Sequence, residues 1–309
     1  MQFGVILDIF ADNLLPIFMA AGAGFALGKI SHPDIKTASR LSFHIFSPCL
    51  VFVSLAHIGI TKGEFEKLAL FSFSVAAITA GLAFICGRLL NLKRALLASL
   101  VVASAFSNNG NYGLAAVKFA FGEEALVRAL VCFVFSTIWT FTAGILIAST
   151  GKCSLAQAFK KLFEVPAFYG LIGAGVIRYT NWQIPLFVDR AVMLLSEAAI
   201  PLMLVILGLQ IAEARRLPRD RALLISVASL LQLVIAPIIA LLLSRWIGLS
   251  GPARQAAVLQ TAMPTAVITT ILALEYDLDA ELVTGTVLLT TLLSPLTLTP
   301  LIAHLLSAS

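Results

Sequence analysis

Charge is what this sequence has least of. Only 12% of its 309 residues are Asp, Glu, Lys or Arg, against 60% that are hydrophobic, whereas soluble domains carry about 25% charged residues. A mean hydropathy of +0.99 excludes a soluble globule. Cysteine is scarce too. Cys49, Cys86 and Cys132 sit in apolar runs and Cys153 in a basic loop. None has metal-ligand or disulfide-framework spacing, so they read as small hydrophobes. The four histidines, at 32, 44, 57 and 304, are scattered and form no HExxH. An intramembrane enzyme would need a nucleophile with its base, or a metal cluster, within the spans. Neither pattern is present, so neither an enzyme nor a metal site is expected.

A net charge of +5 and a pI near 9.2 could suggest a nucleic-acid partner. The basic residues are instead dispersed through short loops between apolar runs, as the positive-inside rule describes. The lipid bilayer is the expected partner, and nucleic acid is not. The first apolar run has no basic stretch before it and no small-residue cleavage site after it, so it reads as a retained helix.

What is present is a series of apolar runs of membrane-crossing length, each needing roughly 20 residues. Ten spans are expected, near 5–29, 39–58, 67–87, 95–121, 125–149, 164–179, 189–211, 222–244, 254–274 and 281–304. If the loops after the odd-numbered spans are cytoplasmic, they hold Lys29, Lys36, Arg40, Arg88, Lys93, Arg94, Lys152, Lys160, Lys161, Arg215, Arg216, Arg219 and Arg221. The opposite loops hold only Lys62, Lys67, Arg178, Arg190, Arg245 and Arg254. Both termini are then expected outside the inner (cell) membrane.

The most informative stretch is Ser107-Asn108-Asn109-Gly110-Asn111-Tyr112-Gly113, which interrupts the fourth run. Asn competes for backbone hydrogen bonds and Gly adds backbone entropy, so the helix is expected to break there. In lipid, broken backbone survives only where protein buries it or where it lines a watery cavity.

An internal repeat supplies a partner for that break. Pro16 and Gly22-Ala23-Gly24 recur as Pro166 and Gly173-Ala174-Gly175; Pro48 recurs as Pro201, and Leu126-Val127 as Leu282-Val283. The offsets run from 150 to 156. Five spans per copy is an odd number, so residues 1–151 and 152–309 are expected to be two inverted five-helix repeats, an arrangement of secondary transporters. The same offset carries Asn108 onto Pro264, within Thr261-Ala262-Met263-Pro264-Thr265-Ala266. Proline removes a helix hydrogen bond, so the ninth run is expected to be broken at the equivalent place. The fold class is thus all-α integral membrane, with helices four and nine broken and crossing. Paired breaks of this kind point to a substrate site.

The same residues carry a resemblance. Asn108 through Leu114, running into Phe119-Ala120-Phe121-Gly122-Glu123-Glu124, resembles the fourth-span signature of the auxin efflux carrier family. That family includes plant PIN-type auxin exporters and bacterial carriers of malonate and similar acids. Met263 through Ala266, Leu207-Gly208-Leu209-Gln210 and Tyr276-Asp277-Leu278-Asp279 are similar to its second-half motifs. The resemblance implies a scaffold of helices one, two, six and seven, often dimeric, and a moving core of the other six in an elevator-like cycle. Bile acid:sodium symporters share that architecture. Two departures stand out: Ala115 replaces a proline common among relatives, and Leu68 to Gly87 lacks the acidic residue of the plant exporters.

The expected function is secondary transport of a small organic anion, with an alternative of sodium- or proton-coupled symport. Helix N-termini and the amides of Asn108, Asn109 and Asn111 suit a carboxylate, with Thr265 adding a hydroxyl and Met263 and Pro264 forming the second break. The asparagines could equally cap broken helix ends, and Tyr112 could stack on a ligand or simply pack. His44 and Glu197 occupy equivalent positions at an offset of 153 and are candidates for proton coupling, or polar groups near helix ends or a dimer contact. By analogy with the sodium symporters, Gln260, Thr261 and Ser107 are the side chains that would meet sodium. No cofactor is expected beyond a coupling ion, H+ or Na+. Lys118 could attract an anion or snorkel to the interface.

Overall fold

The computed structural model describes residues 3–149, 160, 163–213 and 218–307. The expected domain boundary at 151 and the basic residues Lys152, Lys161, Arg215 and Arg216, with Cys153, lie outside the described residues. Helix is the only extended regular element among the described residues. The helices are α1 (Ile6–Ser31), α2 (Ile35–His57), α3 (Lys62–Leu89), α4 (Arg94–Ala105), α5 (Asn109–Ala148), α6 (Pro166–Thr180), α7 (Leu186–Glu213), α8 (Ala222–Ile247), α9 (Gly251–Thr261), α10 (Ile268–Glu275) and α11 (Ala280–Ser307). Seven of these, α1, α2, α3, α5, α7, α8 and α11, are long and apolar enough to cross a membrane.

The 40 residues of α5 would reach about 60 Å as one rod, twice the hydrocarbon core of a bilayer. Gly122 prevents that. Its φ of 79° lies where only glycine is comfortable, and the chain turns there into a second segment.

Prolines shape several of the others. Each of Pro16, Pro48 and Pro237 follows a widened turn, at Phe10–Leu14, Ser42–Phe46 and Leu231–Ile235. Proline clashes with the carbonyl four residues back, and an i to i+5 bond around that carbonyl relieves the crowding. At Pro48 the Ser47 hydroxyl adds a second donor to the same Ser42 carbonyl, at 2.7 Å. At the start of α2, Asp34 accepts from the Lys36 N–H. Thr37, and then that N–H, hold the Asp34 carboxyl below its ordinary range.

Hydroxyls are frequent in the interior. Thr286, Thr290, Thr291 and Ser294 are buried in α11 and donate to carbonyls three or four residues back. That satisfies each polar group inside its own helix, as a bilayer demands. The outer surface carries apolar side chains such as Phe187, Leu194 and Leu242.

Two groups of helices frame the site. α1 packs along α7, and α2 along α6 and α7. Bare backbone makes these contacts close: a Cβ at Gly208 would collide with the Ala21 carbonyl, and one at Gly170 with that of Pro48. The remaining helices pack together, α5 against α9, α3 against α4 and α11 against α8.

Candidate functional site

Helix α4 stops at Ala105 and the chain runs extended through Phe106–Asn108 before α5 begins at Asn109. Helix α9 likewise stops at Thr261, with α10 starting at Ile268. The two broken segments meet. Ser107 and Thr265 pair antiparallel, with Ala266 N–H donating to the Phe106 carbonyl at 2.8 Å and Asn108 N–H to that of Pro264 at 2.7 Å. Helix breaking left these groups without intrahelical partners, and the crossing satisfies them.

Gln232 on α8 holds the crossing from behind. Its Nε2 donates to Ser107 Oγ at 2.8 Å, to the Thr261 carbonyl at 3.2 Å and to the Met263 carbonyl at 2.8 Å. One buried amide therefore ties both breaks. A glutamine inside an apolar run is expected to bridge helices, and the structure identifies the two broken segments it joins.

In front of the crossing lies a cavity of about 330 Å³, within the range of small-molecule sites. Its polar wall includes Ser107, Asn108, Asn109, Gly110 and Asn111, and its apolar wall Phe133, Phe141, Ile206 and Ile271. Arg40 and His44 on α2 complete it. Both side chains are exposed, so the cavity is open on that side. Phe43 of α2 faces Phe141 of α5 with ring centroids 6.0 Å apart, which places an aromatic contact between the two helix groups.

The expected residues divide in this geometry. Asn108, Asn109, Asn111, Ser107 and His44 share the cavity. Tyr112 does not line it: fully buried, it packs edge-on against Phe18, with its hydroxyl 3.2 Å from Ser294 Oγ. Met263, Pro264 and Thr265 are also behind the wall. Thr265 Oγ1 donates to the Ala103 carbonyl and its N–H to Thr290 Oγ1. Gln260 and Thr261 lie deeper, beside a second, smaller chamber. Glu197 is exposed and lines neither cavity, so the offset that pairs it with His44 does not bring the two into one chamber. Lys118 pairs with Glu123 at 2.8 Å across the Gly122 turn.

The two half-helix starts differ. At α10, Thr269 and Thr270 N–H donate to the carbonyls of Ala266 and Val267, so that end is closed on itself. At α5 the Asn109 N–H turns back onto the Ser107 carbonyl at 2.8 Å, and the N–H groups of Gly110, Asn111 and Tyr112 that follow lack intrahelical acceptors at a positive dipole end. Asn108 Nδ2 is buried there with no hydrogen-bond partner in the protein, as are the acceptors Asn109 Oδ1 and Gln210 Oε1. Buried amide atoms left in this state are costly. Arg40, which charge counting places in a loop, adds a cation to the cavity; its position four residues before His44, on one helix face, was the available signal.

A family profile described as "Membrane transport protein" matches residues 9–302. An "Uncharacterized transporter" of Methanothermobacter thermautotrophicus is 27% identical over 92% of this chain and 94% of its own. A "Putative malonate transporter" of Rhizobium meliloti is 26% identical, covering 94% and 93% respectively. "Auxin efflux carrier component 8" of Arabidopsis thaliana is 28% identical over 42% of this chain and 36% of its own. The chain belongs to the membrane transport protein family that includes the auxin efflux carriers, and it is a multi-pass membrane transporter rather than an enzyme.

Proposed function

We propose that the protein carries a small organic anion across the inner membrane by alternating access, its carboxylate bound where α5 starts. The observation that carries this reading is the unpartnered Asn108 Nδ2 buried at the wall of the 330 Å³ cavity. A carboxylate oxygen would satisfy that donor and gain from the open helix start beside it. Arg40 and His44 would draw the anion in, and the apolar wall leaves room for a short carbon skeleton. The name of the Rhizobium relative makes malonate the first probe.

The framework of the proposal is ten crossings in two inverted repeats. Supporting it, α4 and α9 break at corresponding places, and the contact of α1 with α7 mirrors that of α6 with α2. Both termini would face outward, with the Arg40 side of the cavity toward the cytoplasm. α1, α2, α6 and α7 would form a dimeric scaffold against which the other helices move.

The test is malonate binding to purified protein by calorimetry. Asn109→Ala and Asn111→Ala should each weaken affinity about fivefold to tenfold, the loss of one charge-assisted hydrogen bond, with unfolding temperature unchanged. Wild-type affinity in both variants would remove the site.

A further inference from the structure

The cavity in front of the crossing has a second amide wall, opposite the asparagines. Met203, Ile206 and Gln210 are the residues of α7 that line it. Spaced three and then four positions apart, they share one helix face. Gln210 is thus the one polar side chain on that face of α7, among the described residues. The same helix packs against the first turn of α5, which carries Asn109 and Asn111.

Unlike Gln232, whose amide nitrogen is spent on the crossing, Gln210 spends nothing on the protein. Its Oε1 is buried without a hydrogen-bond partner, and its amide makes no hydrogen bond among the described residues. A primary amide has a donor end and an acceptor end. Turning Gln210 over exchanges nitrogen and oxygen but gives neither a partner.

A carboxylate only accepts. It can answer the amide donors of the cavity but never the oxygen of Gln210. A ligand that displaces water from this wall must bring a hydrogen of its own or lose affinity. We infer that Gln210 is a specificity-determining residue, which accepts a hydrogen bond from a hydroxyl on the anion whose carboxylate rests at the start of α5. The carrier then prefers a hydroxylated acid to the same acid without its hydroxyl. Discrimination of this kind is strong, because the ligand lacking the donor leaves a buried polar group unpaired. The inference rests on the anion reading of the cavity and adds to it a contact from the opposite helix group.

The experiment is calorimetry on the full chain in detergent at neutral pH, comparing malonate with hydroxymalonate, two dicarboxylates that differ by one hydroxyl. Wild-type protein should bind hydroxymalonate about tenfold more tightly. Gln210→Met, which keeps the length of the side chain and removes its hydrogen bonding, should bring the two affinities together. A merely structural role would change both affinities alike and leave their ratio standing. Equal affinities in wild-type protein, or tighter binding of malonate, overturn the inference and leave the anion reading in place. A preference for hydroxymalonate that survives in Gln210→Met shows that another group reads the hydroxyl, and overturns the role of Gln210. Binding of neither acid overturns the anion reading, and the inference with it. Should Gln210→Met not fold, Gln210→Asn, which withdraws the amide by one methylene, takes its place with the same expected loss of preference.

Discussion

A single amide shows how much rests on one residue here. Gln260 is almost wholly buried and fits only because the residue facing it has no side chain: a Cβ at Gly113 would collide with Gln260 Oε1 and approach Met263 Cγ to 3.1 Å. Gly113→Ala should therefore destabilise the protein by about 1–3 kcal/mol, the usual cost of overpacking, read as a lower unfolding temperature in detergent. An unchanged melt would show that Gln260 swings aside freely. The asparagines show the opposite case. Three of them in four residues, with two glycines, announced a break from composition alone, because each works through its own backbone. Arg40 and Gln232 work through tertiary neighbours: the sequence marks Gln232 as a polar group able to bridge helices, but not which segments it joins.

For the helices, legibility followed the same division. The paired interruptions near Asn108 and Pro264 were visible because Asn, Gly and Pro act locally, and a constant offset linked them. The offset did not reveal that the two starts would differ, two N–H groups of α10 turning back onto Ala266 and Val267 but only that of Asn109 turning back at α5. Nor did it reveal that Thr265, a promising hydroxyl on paper, would spend its hydrogen on Ala103. Helix packing offers a sharper test. At the α1–α7 seam a Cβ on Gly208 meets backbone, which cannot rotate away, whereas Gly175 on α6 has open space around it. Gly208→Ala should cost about 2–3 kcal/mol and lower thermostability measured by detergent size exclusion after heating. Gly175→Ala should be neutral or gain up to about 1 kcal/mol from helix propensity. Equal behaviour of the two would mean that the seam is not close-packed.

For the whole molecule, the two helix groups meet at few polar contacts, and the cavity lies where they meet. Its walls draw on α2 and α7 from one group and on α5 and α10 from the other. A site divided in this way changes shape when the groups shift, which is the geometric requirement for exposing a ligand to each side in turn. The Phe43–Phe141 contact is where such a shift would be felt first. Cysteines at Phe43 and Phe141 joined by a short bismaleimide, in a background without the native cysteines, should abolish malonate uptake into proteoliposomes. Undiminished uptake would show that these faces stay together throughout the cycle.

The bridge between Ser107 and Thr265 has the converse consequence. Hydrogen bonds at Phe106–Ala266 and Asn108–Pro264 flank that pair, and Gln232 clamps both chains. The crossing is thus riveted, and it can travel only as one piece. Under the proposed alternating access, a ligand resting on it would be cargo on a platform, carried with its berth intact, so the coordination seen from one side of the membrane should be the same when it reaches the other.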